Sequence, residues 1–119
     1  VKVLESKDSI VVWGTGEEER DLLHVSDLVN CVDLVIKNQK SKFELINVGY
    51  GKSISVSDLV KKVLDLSGKK LYINYDENKP TIKTKLALDT SKITNLFGWV
   101  PSIDLKNGIQ RTIDWYKNK

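Results

Sequence analysis

The sequence predicts an α/β fold, in which short strands alternate with helices in a single domain. A chain of 119 residues has the length of one ordinary domain. Stretches rich in β-branched and aromatic residues are separated by stretches whose apolar residues recur every three or four positions. Glycines stand at the ends of several stretches, where turns are expected. These observations favour strands and helices in alternation over an all-helical or all-β chain.

The N-terminal part predicts two strands and a long helix. Residues 9–13 are β-branched and aromatic and lead into a glycine, so they predict a strand that ends in a turn, after a helix end in residues 1–7. Residues 20–25 predict a second short strand, and Ser26 with Asp27 is expected to cap the next helix. The buried face of that helix is expected to comprise Val25, Leu28, Val29, Val32, Val35 and Ile36, with Cys31 outside it.

The middle of the chain predicts another strand and helix. Residues 43–48 have a strand-like composition and end at a glycine-rich turn. The apolar spacing of residues 56–64 predicts an amphipathic helix that Ser55 or Ser57 would cap and Gly68 would end.

The C-terminal part predicts one more strand and two helices. Residues 71–75 alternate as a strand does, and residues 85–88 predict a short extended piece. Asp89 or Thr90 is expected to cap a helix that Gly98 ends. The final helix is expected to bury Leu105, Ile109, Ile113 and Tyr116, and the core is expected to include Trp99 and Trp115. Four short strands make a thin sheet, which we expect to need a neighbour.

Composition excludes several classes of protein. No apolar run approaches the 18 or so residues of a membrane span, so we expect no membrane association. One cysteine and one histidine predict neither an internal disulfide nor a zinc site, and they favour the cytoplasm. The aromatic residues do not alternate with lysine or arginine, so nucleic-acid binding is not expected.

Two short motifs resemble cofactor sites but have the wrong context. Gly49-x-Gly51-Lys52-Ser53 lies between a predicted strand and a helix, but a phosphate-binding loop needs a glycine where Ile46 stands. Tyr75 and Lys79 have the Tyr-x-x-x-Lys spacing of a catalytic pair, which requires a helix. Because Lys79 precedes a proline, a helix is disfavoured there and we interpret the match as coincidence.

An ordered series of motifs resembles one known family. The series comprises Val12-Trp13-Gly14-Thr15-Gly16, Arg20 to Asp27, Asn47 to Gly51, Leu88 to Lys92, and Leu96-Phe97-Gly98-Trp99-x-Pro101. In this order, it resembles the C-terminal portion of the Rossmann-type extended short-chain dehydrogenases, the NAD(P)-dependent sugar-nucleotide epimerases, dehydratases and reductases. Within them, the tryptophan before Gly-x-Gly is most similar to that of the GDP-L-fucose synthases.

The resemblance implies a role in substrate binding. It implies that residues 1–119 form the substrate-binding domain of a longer protein, whose N-terminal domain would bind NAD or NADP and supply the catalytic tyrosine and lysine. This chain alone would then bind no cofactor and carry no catalytic residue. The nucleoside-diphosphate sugar would contact Trp13 through its base and Arg20 through its diphosphate, with His24, Lys83 and Lys85 as further substrate-binding candidates.

Several alternatives stay open at this stage. The sharper expectation is the conversion of GDP-4-keto-6-deoxy-mannose to GDP-fucose, and the alternative is a UDP- or dTDP-sugar 4-epimerase or 4,6-dehydratase. A non-catalytic scaffold that keeps the fold is the alternative of another class. If a neighbouring domain has been removed, apolar surface is exposed and self-association is expected.

Overall fold

A computed structural model describes all 119 residues. The elements in chain order are α1 (Lys2–Glu5), β1 (Ser9–Trp13), β2 (Glu19–Asp21), α2 (Val25–Asn38), β3 (Ser53–Ser55), α3 (Val56–Ser67), β4 (Tyr72–Asp76), α4 (Ser91–Phe97) and α5 (Leu105–Lys117). The predicted alternation of strands and helices is confirmed.

The strands form two small sheets. Strands β1 and β4 pair in parallel, from Ser9 opposite Tyr72 to Trp13 opposite Asp76. Strands β2 and β3 pair antiparallel, and Glu19 of β2 also forms an isolated bridge to Lys85. Each sheet has only two strands, so every strand has one edge that no other strand of this chain covers.

Two small apolar clusters stabilise the fold. In the first, Val3 and Ile10 pack against Leu64 of α3. In the second, Cys31 of α2 and Ile93 of α4 pack against Trp99. The first cluster supports the β1–β4 sheet, and the second joins α2 to α4.

Local signals place α3 where the sequence predicts it. The Ser55 hydroxyl accepts a hydrogen bond of 3.0 Å from the backbone N–H of Asp58, which satisfies a free donor at the start of the helix. Gly68 ends the helix with φ of 72°, a left-handed conformation that glycine adopts without a Cβ clash.

The strand predicted for residues 43–48 does not form. Ile46 and Val48 pack against the second apolar cluster, whereas Phe43 and Leu45 are 78% and 76% exposed. The prediction was wrong because a strand needs a partner for its backbone N–H and C=O groups, and no other segment of this chain pairs with this one.

Helix α2 buries a different side from the one predicted. Asp27 and Cys31 are its buried residues, while the predicted face is largely exposed, at Val25, Leu28, Val29, Val32 and Ile36. Cys31 fits against Ile93 and Trp99, and Asp27 hydrogen-bonds to residues 102 and 103. The apolar stripe therefore lacks a covering layer within these 119 residues.

The two tryptophans predicted to lie in the core differ in burial. Trp99 is buried, as predicted, but Trp115 of α5 is 62% exposed. Leu105, Ile109, Ile113 and Tyr116 of α5 line an apolar cleft of about 280 Å³ together with residues of α1 and α3. No helix is both long enough and apolar enough to cross a membrane.

Candidate functional site

Four polar side chains in β2 and at the start of α2 each contact a different part of the chain. We call Arg20, Asp21, His24 and Asp27 the four anchoring residues. Their spacing, Arg-Asp-x-x-His-x-x-Asp, is visible in the sequence, but their partners lie up to 76 residues away. Between them they fix segments at residues 50–51, 82–88 and 102–103.

Arg20 holds the segment that contains Lys83 and Lys85, the two lysines predicted to bind substrate. Its Nη1 donates hydrogen bonds of 3.2 Å to both the carbonyl oxygen and the hydroxyl of Thr84. Its Nη2 donates to the carbonyl oxygen of Ile82, also at 3.2 Å. A planar guanidinium can make these bonds together because its donors form a rigid fork. Lys83 and Lys85 flank Thr84 in the sequence, so Arg20 positions both lysines.

Asp21 occupies the glycine-rich turn after residue 48. Its carboxylate accepts hydrogen bonds from the backbone N–H groups of Tyr50 at 2.7 Å and Gly51 at 2.9 Å, and from Leu88 at 3.1 Å. A Cβ on Gly49 would lie only 2.9 Å from the Asp21 carboxylate. The backbone N–H groups of this turn therefore bind a carboxylate of the same chain, and not the phosphate that a phosphate-binding loop would hold.

The Tyr-x-x-x-Lys spacing is a coincidence, as predicted. Tyr75 belongs to strand β4, and Lys79 lies in the turn that follows. The Tyr75 hydroxyl is hydrogen-bonded to Ser57 of α3 at 2.9 Å. The tyrosine and the lysine thus do not share a helical turn.

His24 caps α2, in the position expected of Ser26 or Asp27. Its Nδ1 accepts a hydrogen bond of 3.2 Å from the backbone N–H of Ser26. The imidazole lines the apolar cleft against α5 and lies close to Gly108. The structure thus places His24 at a cleft that Lys83 and Lys85 do not line.

Asp27 ties α2 to the segment before α5. It is 2% exposed and accepts hydrogen bonds from Ser102 Oγ at 2.7 Å, Ser102 N at 3.2 Å and Ile103 N at 2.9 Å. Burial pushes the pKa of the Asp27 carboxyl upward, but these hydrogen bonds outweigh burial, so the pKa lies below its ordinary value.

A polar cavity of about 140 Å³ lies between the Gly14–Gly16 turn and the segment that Arg20 holds. We call it the lysine cavity, and its lining residues are Thr15, Glu17, Glu18, Lys83, Thr84 and Lys85. Both lysines are exposed. They offer an anionic ligand two ammonium groups, beside the carboxylates of Glu17 and Glu18 in the same lining.

The three consecutive glutamates lie in different environments. Glu17 is exposed and shares a hydrogen bond with Thr15, whereas Glu18 is 6% exposed. Glu19 accepts from the Ser53 hydroxyl and pairs with Lys85 Nζ at 3.0 Å. The Ser53 hydrogen bond first, and Lys85 second, lower the pKa of the Glu19 carboxyl. The glutamates therefore do not act on Arg20 as one block of negative charge.

Trp13 is the last residue of strand β1, and it precedes Thr15 of the lysine cavity by two residues. Its indole is 51% exposed, and Lys2 Nζ lies 5.9 Å from the ring centroid. The following residue, Gly14, donates a hydrogen bond of 2.8 Å to the Asp76 carbonyl oxygen. An exposed indole on a fixed strand end can stack on a flat ligand.

The structure brings some of the sequence-predicted residues together. Arg20, Lys83 and Lys85 meet around Thr84, whereas Trp13 does not line the lysine cavity and His24 lies at the apolar cleft. Sequence reasoning missed Asp21, Asp27 and Glu18, although the spacing of the anchoring residues was a signal for the two aspartates. No group of three or more metal-ligating side chains is present.

The fold and these residues define a portion of an extended short-chain dehydrogenase. The chain belongs to the family described as GDP-mannose 4,6 dehydratase, whose model matches residues 1–112. The putative GDP-L-fucose synthase 2 of Arabidopsis thaliana is 40% identical over 110 residues, covering 92% of this chain and 33% of the relative. The chain thus spans about a third of the length of such relatives.

Solved structures show the same fold. A GDP-6-OMe-4-keto-L-xylo-heptose reductase from C. jejuni is 30% identical with a TM-score of 0.85, covering 95% of this chain and 35% of that protein. A dTDP-glucose 4,6-dehydratase from Bacillus anthracis, in complex with NAD, is 26% identical with a TM-score of 0.79, covering 94% and 35%. The Rossmann-type family predicted from the motif series is therefore confirmed.

Proposed function

We propose that these residues are the nucleotide-sugar-binding portion of an NAD(P)-dependent epimerase or reductase that acts on a GDP-sugar, of the GDP-L-fucose synthase type. The observation that carries the proposal is the lysine cavity, whose segment at residues 82–84 is held by Arg20 and whose Thr15 follows Trp13 by two residues in the chain. The relatives named as GDP-L-fucose synthases support the choice of a GDP-sugar.

In this proposal the lysine cavity receives the diphosphate. Lys83 makes no ion pair within the chain, and Lys85 is shared with Glu19. Arg20 keeps its Nε–H and one N–H of Nη2 without an acceptor in the chain. A charge-assisted hydrogen bond to phosphate contributes about 1.5–3 kcal/mol. The base stacks on Trp13, which contributes about 1–3 kcal/mol.

We further propose that an N-terminal dinucleotide-binding domain covers the exposed apolar surface. That surface comprises the exposed stripe of α2 and the unpaired residues 43–48. The domain would hold NAD or NADP and the catalytic tyrosine and lysine, and it would pair with residues 43–48 as a strand. Without the domain, the same surface would drive self-association.

The dTDP-glucose 4,6-dehydratase match favours a second candidate, a dTDP- or UDP-sugar enzyme of the same family. The two candidates share the diphosphate site and differ in the base. Comparing the affinities of GDP, UDP and dTDP for the intact protein separates them.

The test is isothermal titration calorimetry of the intact protein that carries these residues. We expect GDP to bind, and Trp13→Ala and Lys83→Ala each to weaken binding by about tenfold or more. The matched controls are Trp115→Ala and Lys42→Ala, which remove an exposed indole and an exposed lysine outside the proposed site. Absence of nucleotide binding, or equal losses in variants and controls, would overturn the proposal.

A further inference from the structure

Glu18 is a buried carboxylate that lacks a partner. It is 6% exposed, and its Oε2 atom is fully buried without a hydrogen bond. Its side chain lines the lysine cavity. The Oε1 atom lies 2.6 Å from the point where a Cβ of Gly14 would stand, so a larger residue at position 14 would force the carboxylate to shift.

An unsatisfied buried acceptor calls for an explanation, because buried polar groups in proteins are nearly always hydrogen-bonded. The neighbouring glutamates do have partners: Glu17 shares a hydrogen bond with Thr15, and Glu19 pairs with Ser53 and Lys85. Of the three glutamates, only Glu18 has a buried acceptor without a partner. A ligand group that contacts Glu18 must carry hydrogen-bond donors, which a phosphate lacks at neutral pH, so the diphosphate would lie at the lysines and another part of the ligand at Glu18.

We propose that Glu18 recognises guanine, a role that rests on the proposed function and specifies its base. Guanine presents two adjacent donors, N1–H and the 2-amino group, and a carboxylate presents only acceptors. Uracil and thymine present one N–H between two carbonyl oxygens, which a carboxylate repels. Glu18 lies beside Gly14, the residue that follows the proposed stacking residue Trp13 in the chain.

The experiment compares GDP, inosine diphosphate and UDP on the intact protein by calorimetry. Inosine diphosphate keeps N1–H but lacks the 2-amino group. We expect the wild type to bind GDP at least tenfold more tightly than inosine diphosphate. Glu18→Gln should lower the GDP affinity at least tenfold and bring the two affinities close together, because an amide donor then faces the guanine donors. The control Glu77→Gln removes one exposed charge in the turn after β4 and should change neither affinity.

The outcomes separate this inference from the proposed function. Equal wild-type affinities for GDP and inosine diphosphate would overturn the role of Glu18. This comparison uses the wild-type protein alone, so it does not depend on whether a variant folds. Equal losses for GDP, inosine diphosphate and UDP in Glu18→Gln overturn it as well. In both cases GDP still binds the wild type and the proposed function stands. If the wild type binds none of the three nucleotides, the proposed function fails and this role fails with it.

Discussion

Replacing Asp27 should destabilise the protein more than any other single change of a polar residue in α2. The carboxylate is 2% exposed and accepts three hydrogen bonds, two of them from backbone N–H groups. Asp27→Ala leaves both N–H groups and the Ser102 hydroxyl without an acceptor. Each hydrogen bond to a charged group contributes about 1.5–3 kcal/mol, with incomplete additivity, so we expect a loss of about 3–5 kcal/mol in the free energy of unfolding.

Asp27→Asn removes the negative charge but keeps nearly the same side-chain shape, so it separates the two contributions to the free energy of unfolding. The amide keeps one oxygen acceptor but turns an NH₂ group toward donors, so we expect a loss of about 1–3 kcal/mol. Urea denaturation followed by circular dichroism measures both variants, with Asp33→Asn as the control. Asp33 lies on the same helix in an exposed pair with Lys37, and such pairs contribute at most about 1 kcal/mol. A loss for Asp27→Ala no larger than that for Asp33→Asn would refute the reasoning.

The Asp27 contribution should also depend on pH. Its folded-state pKa is lower than its unfolded value of about 3.9, so the unfolded state binds more protons as the pH falls. The stabilisation is fully present above the unfolded pKa and is lost as the pH falls through the folded pKa. The stability difference between wild type and Asp27→Asn should therefore be constant above about pH 5 and shrink below pH 4.

Three further substitutions test other parts of the account. Arg20→Lys should loosen the segment at residues 82–86, because one ammonium cannot replace the guanidinium fork, and hydrogen exchange at the Leu86 amide should quicken. Gly49→Ala should cost about 1–3 kcal/mol in denaturation, because its Cβ would lie 2.9 Å from the Asp21 carboxylate. Val29→Lys should destabilise the intact protein by about 2 kcal/mol or more if another domain covers α2.

Each of these substitutions has a matched control in the chain. Arg111→Lys changes an exposed arginine of α5 and should leave Leu86 exchange unchanged. Gly108→Ala adds a Cβ at ordinary contact distance, 3.4 Å from His24, inside a helix, and should be neutral or stabilising. Asn30→Lys alters the residue beside Val29 and should cost less than Val29→Lys. Variants that behave like their controls would contradict the corresponding prediction.

The sequence predicts well those elements whose signals are local. Helix α3 carries its own cap at Ser55 and its own end at Gly68, so no distant residue is needed to place it. Residues 43–48 have an equally clear strand composition, yet a strand depends on a partner, and the chain supplies none. The buried side of α2 likewise depends on Cys31 and Asp27 finding distant partners, which periodicity alone does not reveal.

In the candidate site too, the sequence predicts the features with local signals and does not predict those that depend on distant residues. The resemblance singles out Arg20 and the lysines, and the structure adds that Arg20 holds the lysine segment through Ile82 and Thr84. Sequence spacing indicates the anchoring residues without their partners. Glu18 could not be found in advance, because its burial depends on Gly14 and on a segment more than 60 residues away.

The central claim is that a GDP-sugar binds beside Trp13 and the lysine cavity. The most direct test is an NMR titration of the intact protein with GDP, in which only the indole nitrogens of its tryptophans are labelled and each signal is assigned by substitution. We expect the Trp13 indole signal to shift with saturation, while the buried Trp99 and the exposed Trp115 signals stay in place. An unchanged Trp13 signal at saturating GDP, or a shift confined to Trp115, would contradict the account.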